Sequence, residues 1–293
     1  MHLRPVSVLA LAAVVSLLSA CATTSPGPAE DEGTLGRIRK TGTLRLGYRE
    51  SSRPFSFVGD DGRPAGYSVD LCEYVAGSIA RRLALADLKT TWVKVSVADR
   101  MDAIANGTID LECGSTTASL TRYERVDFSV TTFVDGGSLL VTDASGITDV
   151  ATLANRRVAI IPGTTTETAL REVLRRRLIP VTVVPVNDHA AGVAALDDDT
   201  ADAYASDHSI LVGVGRTSRR PEGLSLIDEF FSYEPYGLML RRGDPAFRLA
   251  VNRALAELYR SGEVIPVFEK WFESIRTAMP LIRAMYILNA LPE

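Results

Sequence analysis

The strongest constraint on this chain is the order in which two hydrophobic periods alternate along it. Short strand-like runs are separated by stretches with a helical period. "TLRLGY" (43–48) alternates and reads as a strand. After the turn-rich "VGDDGRPAG" (58–66), Val69, Cys72, Val75, Ala76, Ile79 and Leu83 form one helical stripe over 69–83. "TTWVKVSV" (90–97) reads as a strand, and "DRMDAIANG" (99–107) as a short helix that Asp99 caps and Gly107 ends. "TIDLEC" (108–113) is a strand again. This βαβαβ order predicts a mostly parallel α/β sheet.

A second α/β unit follows. "RRVAII" (156–161), "VTVVPV" (181–186) and "ADAYAS" (201–206) read as strands. "PGTTTETALREVLRRR" (162–177) is a Gly-Thr turn opening a helix, and "HAAGVAAL" (189–196) is a short helix. The β-rich "FSVTTFVDGGSLLV" (128–141) joins the halves, and "LSLIDEFFSYEPYGLML" (224–240) precedes terminal amphipathic helices at 246–261 and 263–273. Two α/β lobes joined by extended strands imply a cleft between them. Ligands of such sheets bind outside the carboxyl ends of strands, so the loops there are the places to look.

The N-terminus carries a targeting signal. His2 and Arg4 precede "VSVLALAAVVSLL" (6–18), too short for a typical membrane span and suited to a secretory leader. "LSAC" (18–21) has small residues before a cysteine, as in a bacterial lipobox, so Cys21 is expected to become the lipidated first residue. An ordinary signal peptide cut near Ala20 or Ala22 is the alternative. "ATTSPGPAEDEG" (22–33) then reads as a flexible tether from lipid to domain. Two cysteines remain, Cys72 and Cys113; in an oxidising compartment a bridge and two buried thiols are both compatible with the sequence. His2, His189 and His208 are scattered, without metal spacing. A formal net charge of −4 argues against a nucleic-acid surface.

At the strand ends stand Arg49, Arg100, Ser115, Thr116, Thr117, Arg122, Gly163, Thr164, Thr165, His189 and Asp207. Singly, each has a plain reading as a solvated charge, a helix N-cap or a turn residue. Together they place anion-binding donors and one carboxylate at one end of two sheets. No Gly-x-Ser-x-Gly elbow, phosphate loop or paired strand-end carboxylates appear among them. The set suits a zwitterion. Arginine forks a carboxylate, loop N–H groups and hydroxyls add donors, and an aspartate takes the ammonium. Three arginines against one aspartate leave a surplus of about +2, which a second ligand carboxylate would use; buried arginines left unpaired would disfavour neutral ligands.

At this point the chain resembles bacterial periplasmic solute-binding proteins of amino-acid ABC transporters, most closely the glutamate/aspartate-binding branch. The likeness covers 34 to about 275 and rests on "RESSRPFSF", "GYSVDLC", "ANGTIDLECGSTTASLTR", "PGTTTE", "NDH" and "YGLMLR". It implies a two-lobe type II binding fold with two hinge crossings. One lobe would comprise 34–135 and 236–293 and the other 136–235, after a signal peptide (1–20) and tether (21–33). It implies that Arg122 with Thr117 clamps the α-carboxylate, that Asp207 with Ser115 takes the ammonium, and that Arg49, Arg100 and His189 hold the side-chain carboxylate. Thr165, with Thr164 beside it, would complete the closed cleft. The implied protein is an exported monomer without cofactor or metal that delivers its ligand to a membrane permease. A sensor subunit on the same fold, or a cyclohexadienyl dehydratase with His189 as general acid, are the alternatives. The tail after about 276 departs from the family pattern and is expected only to pack on the first lobe.

Overall fold

A computed structural model describes residues 33–272 and 279–293. The leader, the tether and Cys21 lie outside these residues. Among the described residues no helix is long and apolar enough to cross a membrane.

Two five-stranded sheets organise the chain. In the first, Lys89–Lys94, Thr43–Tyr48, Leu111–Glu112, Glu234–Arg241 and Val126–Asp135 lie side by side in that order. In the second the order is Val181–Pro185, Arg156–Ile160, Ala203–Asp207, Gly137–Thr142 and Leu224–Leu226. Each sheet pairs its first three strands in parallel and its last two antiparallel. The expectation of mostly parallel sheets is therefore corrected to mixed ones. The strands next to the crossings, Val126–Asp135, Gly137–Thr142, Leu224–Leu226 and Glu234–Arg241, take the fourth and fifth places of the two sheets, and these are the antiparallel pairings. A third, three-stranded sheet (Ser51–Ser52, Ser56–Val58, Pro64–Ala65) lies in what read as turn and loop; its strands are too short to show a period.

The chain crosses twice. Val126–Asp135 passes through Gly136 into Gly137–Thr142, and 227–233 brings it back to Glu234–Arg241. The crossings touch. A Cβ on Gly137 would sit 2.6 Å from Ser232 Oγ and 2.7 Å from the Phe231 ring, so a side chain there would push them apart.

The first sheet is covered by helix Tyr67–Arg82, whose apolar stripe is buried as its period demands: Val69, Cys72, Val75, Ala76, Ile79 and, just beyond it, Leu83. A disulfide joins Cys72 on this helix to Cys113 at the end of Leu111–Glu112. Phe55, Tyr67, Phe133, Tyr236 and Phe272 pack ring to ring beneath it. The terminal helix Met279–Asn289 packs on Val126–Asp135, where Tyr286 and Tyr67 share a hydroxyl hydrogen bond of 2.8 Å and the Thr131 N–H donates to Asn289 Oδ1 at 3.2 Å. The second sheet has its own core, including Leu139, Val141, Ile160, Leu170, Leu174 and Ala205.

Candidate functional site

The first sheet brings three arginines to one place. Arg49 follows Thr43–Tyr48, and its backbone N–H donates to Ser56 Oγ at 2.9 Å. Arg100 opens helix Arg100–Ala105. Asp99, expected to cap that helix, makes no side-chain cap; its Oδ1 accepts from the Ser96 N–H at 2.6 Å, holding the preceding turn instead. The loop after Leu111–Glu112 is tied at both ends: Ser68 Oγ donates to the Gly114 carbonyl (2.8 Å), and Ala118 N–H to the Pro235 carbonyl (2.7 Å). Ser119 caps the short helix carrying Arg122, whose Nη1 donates to the Thr117 carbonyl at 2.8 Å.

The second sheet answers with helix starts. Thr164 caps Thr165–Arg177, accepting from Glu167 N–H at 3.0 Å and donating to the Ile161 carbonyl at 2.9 Å. His189 begins His189–Asp197. Asp207 ends its strand at the start of His208–Gly215, yet does not cap that helix with its side chain. Its carboxylate takes the Thr166 hydroxyl (2.5 Å) and the Tyr236 hydroxyl.

All nine residues singled out at the strand ends as ligand contacts (Arg49, Arg100, Ser115, Thr117, Arg122, Thr164, Thr165, His189 and Asp207) line one cavity between the sheets, with Val97, Thr166, Ser206 and Ile210. Its volume is about 30 Å³. Ligand pockets commonly run from about 300 Å³ upward. The lobes are closed on one another here, and an amino acid enters only if they part.

Burial makes the charges unusual. Arg49, Arg100 and Arg122 are 4%, 5% and 8% exposed, and none has a carboxylate within 4 Å among the described residues. Arg100 Nε is buried without a hydrogen-bond partner among the described residues. Burial, then the repulsion of Arg100, brings Arg49 and Arg122 down to about 10. His189 is pushed down to about 3 by burial and by Arg49 and Arg100, so its ring is neutral; its Nδ1 lies 2.6 Å from Tyr204 Oη.

The cavity lining itself holds one carboxylate, Asp207, but others stand close by. Glu112, Asp207 and Glu234 are all buried at the strand ends that carry the cavity, and Asp135 lies behind Asp207. Burial and Glu234 raise Asp207 to about 6; burial and Asp207 raise Asp135 to about 8. Three guanidinium groups and one carboxylate therefore line the cavity, with Glu112 and Glu234 buried beside the lining as further charges that act on the arginines. Arg100 links the set: it acts on Arg49 and His189 and also on Arg122, which in turn acts with Glu234 and Asp207. Glu112 Oε2 accepts from Thr116 at 2.8 Å, and its Oε1 is buried without a hydrogen-bond partner among the described residues.

The hydroxyls are also committed differently from expectation. Thr117 and Thr165 both donate to Glu234 Oε2, each at 2.6 Å. Thr164 spends its hydroxyl on its own helix. Glu234, Glu112, Thr166, Tyr204 and Tyr236 were not singled out from the sequence. The glutamates sit inside strand-like runs, where a carboxylate reads as an outward-facing residue, and Thr166 reads as one more helical residue after the cap.

Two α/β lobes closing on a polar cavity at their strand ends define a solute-binding protein of the two-lobe, type II kind. Residues 44–274 match the model of the bacterial extracellular solute-binding proteins, family 3, and the chain belongs to that family. It is 36% identical to an L-glutamate/L-aspartate-binding protein of Pseudomonas aeruginosa over 93% of this chain and 89% of that one. It is 32% identical to a glutamate/aspartate import solute-binding protein of Escherichia coli over 82% and 80% of the two chains. Among solved structures it is similar to an ancestral amino acid-binding protein described as a precursor of cyclohexadienyl dehydratase. The TM-score is 0.71 with 27% identity, over 82% of this chain and all of that one.

Proposed function

We propose that this protein captures acidic L-amino acids, glutamate and aspartate, outside the cytoplasm and hands them to an ABC permease. The observation that carries this is the set of three buried guanidinium groups around one cavity, none with an ionic partner among the described residues. A buried cation left unpaired costs several kcal/mol, so a ligand with carboxylates at both ends would repay what the fold leaves open. In this reading Arg122 holds the α-carboxylate, Asp207 with Ser115 the ammonium, and Arg49, Arg100 and His189 the distal carboxylate. His189, neutral, donates through the ring nitrogen not engaged by Tyr204. The bindings named for the two bacterial relatives agree with this ligand class.

Capture proceeds by hinge closure about the crossings near Gly136 and Ser232. Residues 34–135 with 236–293 offer the arginines, and 136–235 close over the ligand, which stabilises the closed form only by touching both lobes. The chain works as a monomer, exported by residues 1–20 and anchored through lipid on Cys21. A neutral His189 keeps one N–H, which donates a hydrogen bond but is far too weak an acid to protonate a leaving hydroxyl at neutral pH, and this favours binding over dehydration. The test is calorimetry of the twenty amino acids against protein freed of co-purified ligand. Glutamate and aspartate are expected to bind most tightly; preference for a neutral or basic amino acid would overturn the reading.

A further inference from the structure

Glu234 opens the strand that returns to the first sheet, and it is 1% exposed. Its carboxylate joins three segments. Oε2 accepts from Thr117 Oγ1 on the first lobe and from Thr165 Oγ1 on the second, both at 2.6 Å. Oε1 accepts from Ser232 Oγ at 2.6 Å, on the crossing itself. A threonine hydroxyl has one proton and two lone pairs. Once a carboxylate takes the proton, that hydroxyl has only acceptor capacity left. O–H···O⁻ bonds this short are the strong kind, so reversing them is costly. Thr117 and Thr165 both line the cavity. They therefore present lone pairs to whatever enters it, and so cannot give their hydroxyl protons to a ligand carboxylate. Thr166 has likewise given its proton to Asp207.

We infer that Glu234 is a positioning residue that makes the cleft demand an ammonium group. By taking the protons of Thr117 and Thr165 it turns both into acceptors beside Asp207, a pocket of lone pairs that only a donor can satisfy. This rests on the amino-acid-binding reading above and sharpens it. A dicarboxylate of the same length without the amino group, such as glutarate, leaves those acceptors unpaired and faces two buried carboxylates. It is refused although it offers Arg49, Arg100 and Arg122 all the negative charge they require.

The experiment is calorimetric titration of L-glutamate and of glutarate into the wild-type chain, Glu234→Met, Thr117→Val and Thr165→Val, with a melting curve for each. Methionine keeps the length of glutamate and removes the acceptor. The wild type is expected to prefer L-glutamate by about a hundredfold or more, because a site built for a polar group rejects the analogue lacking it. Glu234→Met should cut that ratio by at least about tenfold, with glutarate bound as well as before or better, since the freed hydroxyls can then donate. Each valine variant should weaken L-glutamate and leave glutarate unchanged, which tests the acceptor role even if Glu234→Met does not fold. An unmoved ratio in Glu234→Met, or valine variants that weaken both ligands alike, would overturn the inference and leave the acidic-amino-acid reading standing. A wild type that binds neither ligand would overturn that reading and this inference together.

Discussion

The two walls of the cleft are made of different material. The wall on the first sheet holds Arg49, Arg100 and Arg122, with Ser115 and Thr117. The wall on the second holds three threonines, a serine, a neutral histidine and Asp207, and no arginine. They are also held differently. The arginine wall is stitched in place by the Cys72–Cys113 disulfide, by Ser68 on the Gly114 carbonyl, and by Ala118 on the returning strand. The second wall rests on the starts of three helices, which can move as one body with their sheet. The division suggests an order of events. A charged ligand is drawn to the rigid, cationic wall first, and the weakly charged wall closes over it, completing hydrogen bonds rather than supplying charge.

Substitutions can break this division, and the largest effect belongs to Arg122, the arginine assigned to the α-carboxylate that every amino acid carries. Arg122→Ala should abolish binding of every amino acid, a loss of about a thousandfold or more, because it leaves the α-carboxylate buried without its cation beside Asp207 and Glu234. Titration calorimetry would read this; a loss confined to acidic ligands would assign Arg122 to the other end of the cavity. Arg49→Ala or Arg100→Ala should weaken glutamate and aspartate by about a hundredfold and glutamine far less. Equal losses for all three would end the claim that these residues select a side-chain carboxylate.

A smaller effect tests closure apart from chemistry. Gly213, on the second lobe, faces the first so closely that a Cβ would lie 2.7 Å from the Arg53 carbonyl oxygen. Gly213→Val should therefore hold the lobes apart and weaken all ligands alike by about tenfold. Small-angle scattering should show a more open particle at saturating ligand; unchanged affinity would mean that this contact does not set closure.

The smallest effect is on stability. Asp135 titrates at about 8 in the fold, well above an unfolded aspartate near 3.9, so the folded state holds its proton more tightly. Stability from this group is present at low pH and declines as pH rises from about 4 through about 8. Asp207, raised to about 6, adds to the same slope over its lower part. Asp135→Asn keeps one oxygen, which the Gly136 N–H reaches at 2.9 Å and the Ser209 N–H at 3.4 Å, and removes the titration. It should raise the melting temperature at pH 8 by a few degrees and flatten its dependence on pH. A variant less stable than wild type at pH 8 would place a charged Asp135 in the fold.

Much of this was written locally. The period of 69–83 put Cys72 and its neighbours on the buried face of a helix, as found. The strand at 43–48 is where its alternation places it, and the turn at 162–164 opens a helix as Gly and Thr dictate. Ends of such elements are visible in one dimension, so the residues following them could be gathered as a candidate set. The small sheet at 51–65 and the antiparallel halves of the large sheets were not visible, because pairing partners lie far along the chain.

By itself, then, the sequence determined two α/β units, the strand-end residues that would meet, and the donor chemistry they bring. Tertiary structure alone decided the electrostatic balance and the direction of the hydrogen bonds. Glu234 reaches Thr117 across 117 residues and Thr165 across 69, distances over which no local period carries information. Periodicity reports which face a residue buries, while the proton of a hydroxyl is assigned only by the acceptor that folding sets beside it.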